Sequence, residues 1–253
     1  MSFIYAIVLG VVQGLTEFLP VSSSGHIMLI DKLFGIKESN LFMSVVLHVA
    51  TLLSVVIVFR KQIWELIKHP FSHQAKLLYI SFIPTCVIVL VIKFISPAAF
   101  NGSFLGFFFI LTAALLLLVD IFARRQNTFK PLSKSNAFIM GVAQGFACIP
   151  GLSRSGTTIA TGLMLGENRE EVSHFSFIMS IPVIIASMAY ELIFDGGAIM
   201  FKDNILQILI GFIIALIVGL LAIKFMLRIV KKRKFYGFSI YLVVVGILTL
   251  IFF

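Results

Sequence analysis

Gln13-Gly-Leu-Thr-Glu-Phe-Leu-Pro-Val-Ser-Ser-Ser-Gly-His26 decides how the rest of the chain is read, together with a partial echo 131 residues later, Gln144-Gly-Phe-Ala-Cys-Ile-Pro-Gly-Leu-Ser-Arg-Ser-Gly-Thr157. Both stretches interrupt apolar runs with a proline, glycines and hydroxyls, and between them they carry Glu17, His26 and Arg154. A charged side chain at membrane depth is costly, so it faces a bundle interior or a water-filled cavity and marks a functional site. The two stretches read as halves of one active site.

Outward from the first stretch, residues 3 to 20 are apolar up to Pro20, and residues 25 to 35 make only about three helical turns before Gly35. Neither piece reaches the roughly 20 residues that cross a bilayer as a helix. A helix that enters, breaks and returns is a re-entrant hairpin, tolerated only where protein or water satisfies the freed backbone groups. Apolar runs at 42–59, 77–95 and 104–122 follow as spans. The pattern then restarts with an apolar run at 137–150, the second motif and a short helix over 156–165. Spans at 172–194, 205–223 and 236–253 complete it.

An ungapped shift of 131 residues aligns Gly10, Val11, Gln13, Gly14, Ser22, Ser24 and Gly25 with identical residues, seven in sixteen positions. Each half is then one re-entrant helical hairpin plus three transmembrane helices, and an odd number of crossings turns the second copy upside down. The expected fold is an all-α integral membrane protein with an inverted-topology repeat, its site near the midplane where interrupted helices meet. Residues 1–253 form a single membrane domain, with repeat one at 1–125 and repeat two at 132–253.

Composition agrees: 60% of the 253 residues are hydrophobic and only 12% charged, far from a soluble domain. The net charge of +9 does not indicate nucleic acid. The stretches 60–76, 123–136 and 224–235 hold 14 of the 20 Lys and Arg, and the proposed crossings place all three on one side, which the positive-inside bias makes the cytoplasm. The apolar N-terminal stretch has no basic n-region and no small-residue cleavage site, so it is expected to belong to the mature protein. Cys86 and Cys148 lack metal-ligand spacing and read as structural.

Gln13 and Glu17, four residues apart, share one helix face, where a carboxylate beside an amide can hold a divalent cation or move a proton. Ser22, Ser23 and Ser24 stand where the returning helix starts, and helix N-termini bind phosphate through unpaired N–H groups, although serines there are also ordinary caps. His26 is placed to act as general base, general acid or nucleophile, whereas His48, in mid-span, reads as simply hydrogen-bonded. Arg154 sits among Ser153, Ser155 and Thr158 at another helix start, and its planar fork suits a phosphate. These parts fit phosphoryl transfer, which rests mostly on positioning and charge neutralisation.

The two motifs, Gln13 to His26 and Pro150-Gly-Leu-Ser-Arg-Ser-Gly-Thr-Thr158, closely resemble the signatures of the bacterial undecaprenyl-diphosphatase, or bacitracin-resistance, family, and Phe175-Ser-Phe-Ile-Met-Ser-Ile-Pro182 resembles its following span. The resemblance covers essentially the whole chain. It implies hydrolysis of undecaprenyl diphosphate to the monophosphate carrier and inorganic phosphate, which recycles the lipid for peptidoglycan synthesis and gives bacitracin resistance. By motif position it implies Glu17, Ser23, His26 and Arg154 as the catalytic set. It also implies a divalent cation, Mg²⁺ or Ca²⁺, near Glu17 and Gln13, although many members carry a glutamate where this chain has Gln13. Oxygen ligands suit such hard cations and argue against zinc.

The leading expectation is therefore a lipid diphosphatase of the bacterial cytoplasmic membrane, with an outward-facing site. Its partners would be a polyprenyl diphosphate substrate and membrane lipids, with no nucleic acid; a homodimer stays open. Ser23 attack with His26 relaying protons, attack by His26 itself and direct water attack remain as routes. An inverted-repeat transporter or lipid flippase is the alternative from another class, and a purely structural subunit leaves Glu17, His26 and Arg154 unexplained.

Overall fold

The computed structural model describes residues 2–36, 41–123, 132–194, 205–232 and 234–252. Two short helices, α1 (Phe3–Thr16) and α2 (Ser23–Leu33), open the described chain. Ser2 caps α1 by accepting from the Tyr5 amide at 3.2 Å. The helix stops short of Pro20, whose ring disfavours helical backbone in the residue before it. Tyr5 donates its hydroxyl to Asp31 at 2.6 Å and Ser23 donates to Glu17 at 2.5 Å, so the helices run antiparallel, joined at one end by the Glu17-to-Ser22 turn and tied at the other by Tyr5 and Asp31.

Next come α3 (Leu41–Val58), α4 (Arg60–Lys68), α5 (His73–Ile95), a 3₁₀ turn at Pro97–Phe100 and α6 (Leu105–Phe122). The second half supplies α7 (Lys134–Phe146), α8 (Arg154–Met164), α9 (Arg169–Phe194), α10 (Ile205–Lys232) and α11 (Tyr236–Phe252). Ser133 and Ser153 cap α7 and α8, and Asn136 donates to Glu167 at 2.5 Å across the open end of this second hairpin. Helices α1 and α7, α2 and α8, and α6 and α11 each begin 131 residues apart, the interval that aligns the two motifs.

Packing crosses between the halves. Helix α1 lies along α10, α7 along α5, and α6 along α11. The close pairs depend on Gly10-x-x-x-Gly14 and Gly141-x-x-x-Gly145, the small-residue pattern that lets membrane helices approach backbone to backbone. A Cβ at Gly10 would stand 2.7 Å from the Gly211 carbonyl oxygen, and one at Gly141 would overlap the Ser81 backbone. Around the hairpin tips a core of Phe18, Phe59, Phe109 and Phe177 is fully or almost fully buried, with Phe18 edge-on to Phe177 at 5.8 Å.

Among the described residues four helices, α5, α6, α9 and α10, are long and apolar enough to cross a bilayer, and α3 with α4 makes a fifth if that pair is one span bent by 83°. The chain is a multi-pass membrane protein. Helix α11, at 17 residues, is apolar but shorter. Residues 60–68, expected within a basic connection, instead form α4, with Trp64 and Ile67 exposed on it. Basic side chains do not stop a helix: Lys and Arg have good helical propensity, which also carries α10 through Lys224 and Arg228 to Lys232, where a loop was expected.

Candidate active site

The two hairpins meet tip to tip. Ser22, at the head of α2, has φ 71°, the only positive value among the described non-glycine residues. Its hydroxyl accepts from the amide of Gly151, in the second hairpin, at 3.0 Å and from the Gly25 amide at 3.4 Å. Gly151 has φ +94°, a left-handed turn that a side chain would oppose. Ser155 returns the contact by donating to the Leu19 carbonyl at 3.1 Å. Thr112 on α6 braces the second tip, donating to the Gly151 carbonyl at 3.2 Å and accepting from the Ser153 amide at 3.2 Å.

Glu17 sits at the centre of this junction and is buried. One carboxylate oxygen is ion-paired with Arg154 of the second hairpin. The other accepts from the Ser23 hydroxyl at 2.5 Å and from the Gln13 amide at 3.1 Å. The negative charge is thus met by a guanidinium from one hairpin and by a hydroxyl and an amide from the other. Arg154 keeps a second terminal nitrogen, Nη1, that is buried without a partner. A buried donor left unmade is costly, so this atom is a ready contact for an anion.

Beside the junction lies a cavity of about 570 Å³. At its inner end are Glu17, Ser22, Ser23, Ser24, Ser153 and Arg154; Tyr5, Asp31, Lys93, Phe100 and Tyr190 also line it, and Leu9, Ile27, Leu47, Val89 and Val183 give it apolar walls. A polar end joined to an apolar channel suits a phosphorylated lipid.

The structure brings Glu17, Ser23, Ser24, Ser153 and Arg154 to one cavity wall. Ser155 and Thr158 lie behind that wall: Ser155 ties the tips together, and Thr158 shares a 2.6 Å hydrogen bond with Ser176 on α9. His26 also stands outside the lining, its ring between α6 and α11, with Nε2 2.7 Å from the Tyr241 hydroxyl and Nδ1 2.8 Å from the Ser22 carbonyl oxygen. His48 makes the expected local bond, Nδ1 to the Ser44 carbonyl at 2.9 Å, and also lines the cavity.

Two contributors escaped sequence reasoning. Lys93 lies in the cavity wall with its ammonium 3.3 Å from the centroid of the Tyr190 ring; as a cation inside an apolar span it carried a signal that was readable. Tyr241 offered none, since a tyrosine in an apolar helix is commonplace.

The donors at the junction are suited to a hard divalent cation. Glu17 offers a carboxylate, and Gln13 Oε1 is buried with no hydrogen-bond partner. Among the described residues no group of three or more His, Cys, Asp or Glu side chains could cage a metal. Such a set would leave most ligands of a hard cation to substrate phosphates and water, as Mg²⁺ sites with one or two carboxylates do.

Residues 6–248 match the family model described as bacitracin resistance protein BacA. The undecaprenyl-diphosphatase of Christiangramia forsetii is 41% identical over 265 residues, covering 100% of this chain and 98% of the relative. That of Carboxydothermus hydrogenoformans is 39% identical, covering 99% of this chain and 97% of its own. That of Bacteroides fragilis strain NCTC 9343 is 41% identical, covering 99% and 98%.

Proposed function

The chain belongs to the bacitracin resistance protein BacA family, and from that membership we propose that it hydrolyses undecaprenyl diphosphate to undecaprenyl phosphate and inorganic phosphate. The reaction regenerates the monophosphate carrier for cell-wall synthesis and supports bacitracin resistance. One observation carries the assignment to this site: a serine hydroxyl, its carboxylate acceptor and an arginine from the other hairpin converge on the lining of a largely apolar cavity.

Arg154 binds the terminal phosphate, using Nη1 first and then releasing Glu17. The Ser23 oxygen attacks the terminal phosphorus, its proton passes to Glu17, and the bond from that phosphorus to the bridging oxygen breaks. Undecaprenyl phosphate leaves with the bridging oxygen and takes the proton from Glu17. Water then attacks the phosphoserine, one of its protons restores the Ser23 hydroxyl, and inorganic phosphate departs. The 2.5 Å contact between Ser23 and Glu17 favours this serine route with Glu17 as proton acceptor. Glu17 and Gln13 would hold the divalent cation, whose chemistry is neutralisation of diphosphate charge.

The protein is proposed to act in the bacterial cytoplasmic membrane with the site facing outward. Tyr5, Asp31 and Phe100 of the cavity lie on the side opposite the basic ends of α4 and α10, which supports that orientation under the positive-inside bias. Transport alone requires no nucleophile beside a carboxylate. Purified protein in detergent, where transport is impossible, should release phosphate from undecaprenyl diphosphate. Binding of the lipid without release would reject the hydrolase.

A further inference from the structure

His26 is held in a way that the proposed chemistry does not require. Its ring is nearly parallel to that of Tyr241, 10° between planes with centroids 5.7 Å apart, and Phe109 packs edge-on against it at 5.2 Å. Nδ1 lies 2.8 Å from the Ser22 carbonyl oxygen and Nε2 lies 2.7 Å from the Tyr241 hydroxyl. A carbonyl oxygen can only accept, so Nδ1 carries a proton; in the neutral ring Nε2 then presents a lone pair, and Tyr241 donates to it. The Ser22 carbonyl thereby sets the tautomer, and Tyr241 holds the ring in it from the Nε2 side.

Ser22 is the residue that most needs holding. Its φ of 71° is unfavourable for a side-chain-bearing residue, and its hydroxyl is already engaged by Gly151 across the hairpin tips. Its carbonyl receives both the His26 ring and the His26 backbone amide, the latter at 3.2 Å. The next residue is Ser23, the proposed nucleophile.

We propose that Tyr241 and His26 form a positioning pair: Tyr241 orients His26, His26 Nδ1–H fixes the Ser22 carbonyl, and the strained turn thereby aims Ser23 at Glu17 and the phosphate. His26 acts through the backbone and does not exchange protons with substrate. The pair also links α11, at the far end of the chain, to the first hairpin, so one helix with no residue in the cavity lining controls the geometry of the nucleophile. This inference rests on the diphosphatase reading above.

The test compares phosphate release from undecaprenyl diphosphate by purified full-length wild type, His26→Ala, His26→Asn and Tyr241→Phe at equal amounts of folded protein. Asparagine keeps an N–H donor near the Nδ1 position and lacks anything at Nε2. His26→Asn should retain kcat within about tenfold of wild type, whereas His26→Ala should lose about 100-fold, the scale set by small misplacements of reacting groups. Tyr241→Phe should lower kcat about tenfold with KM unchanged, by the same reasoning. Histidine ¹⁵N spectra, with His26 assigned by its absence from His26→Asn, should show the Nδ1–H tautomer in wild type and a displaced Nε2 resonance in Tyr241→Phe.

If His26→Asn is as inactive as His26→Ala while folded, or if His26 is found in the Nε2–H tautomer, the positioning role is overturned. Should His26→Asn fail to fold, an unchanged kcat and unchanged Nε2 resonance in Tyr241→Phe would overturn it equally. Absence of release by wild type would reject the diphosphatase reading itself, while the tautomer measurement would still report on the Tyr241 contact.

Discussion

Arg154 and Glu17, 137 residues apart in the chain, are ion-paired across the tips of two helical hairpins, with both side chains largely buried. Each hairpin tip carries one charge that no side chain of its own hairpin neutralises, so neither tip is electrostatically complete without the other. Removing one partner of such a pair leaves an uncompensated buried charge. Arg154→Ala should therefore destabilise the protein by roughly 3–5 kcal/mol, seen as a lower thermal midpoint in detergent. The double variant Glu17→Gln with Arg154→Gln should recover much of that stability while remaining inactive.

Ser23 gives Glu17 a hydroxyl contact but is not its counter-charge. Ser23→Ala should keep a thermal midpoint close to wild type and lose about 10³-fold or more in kcat, as expected when a nucleophile is removed. A folded Ser23→Ala protein with near-wild-type turnover would make water the attacking group.

The orphaned Gln13 oxygen beside Glu17 leads to a prediction about metal. Phosphate release should fall on chelation with EDTA and return with Mg²⁺ or Ca²⁺. Adding a carboxylate at the neighbouring ligand position, by Gln13→Glu, should lower the cation concentration needed for half-maximal rate by about tenfold, since ligand charge count tunes affinity for hard cations. An activity indifferent to both chelator and Gln13→Glu would dismiss the cation.

The backbone approach at Gly141 is testable by bulk alone. Gly141→Val drives methyl groups into the Ser81 backbone and should cost about 1–3 kcal/mol of stability, the usual scale for overpacking. Gly237→Ala, where an added Cβ meets nothing within 4 Å, should leave the thermal midpoint unchanged.

These relationships differ in how far they could be read beforehand. The hairpin tips were legible because Pro20, Gly151 and the serines are punctuation inside apolar text, and their 131-residue spacing recurs in the helix starts. Glu17 and Arg154 stood out because charges are rare at such breaks, but each was read toward a cation or a phosphate, and their pairing with each other came only from the fold. Span ends were less legible: basic residues at 60–68 and 224–232 signal a membrane side but also favour helix, so composition could not say where the helices stopped. Nor could it show which way His26 faces. One helical turn separates Ser22 from His26, and the ring could point to the cavity or away; packing against Tyr241 and Phe109, from helices distant in sequence, turns it away. Pairwise contacts of that kind leave no periodic trace.

The central claim is that both hairpins build one hydrolytic site, and the most direct measurement is the rate of phosphate release from undecaprenyl diphosphate by purified Glu17→Gln and Arg154→Ala proteins, each compared with wild type at equal folded concentration. Loss of release in both variants, with wild type active, is the predicted result. Wild-type turnover in folded Arg154→Ala would contradict it, because the second hairpin would then contribute nothing to the chemistry.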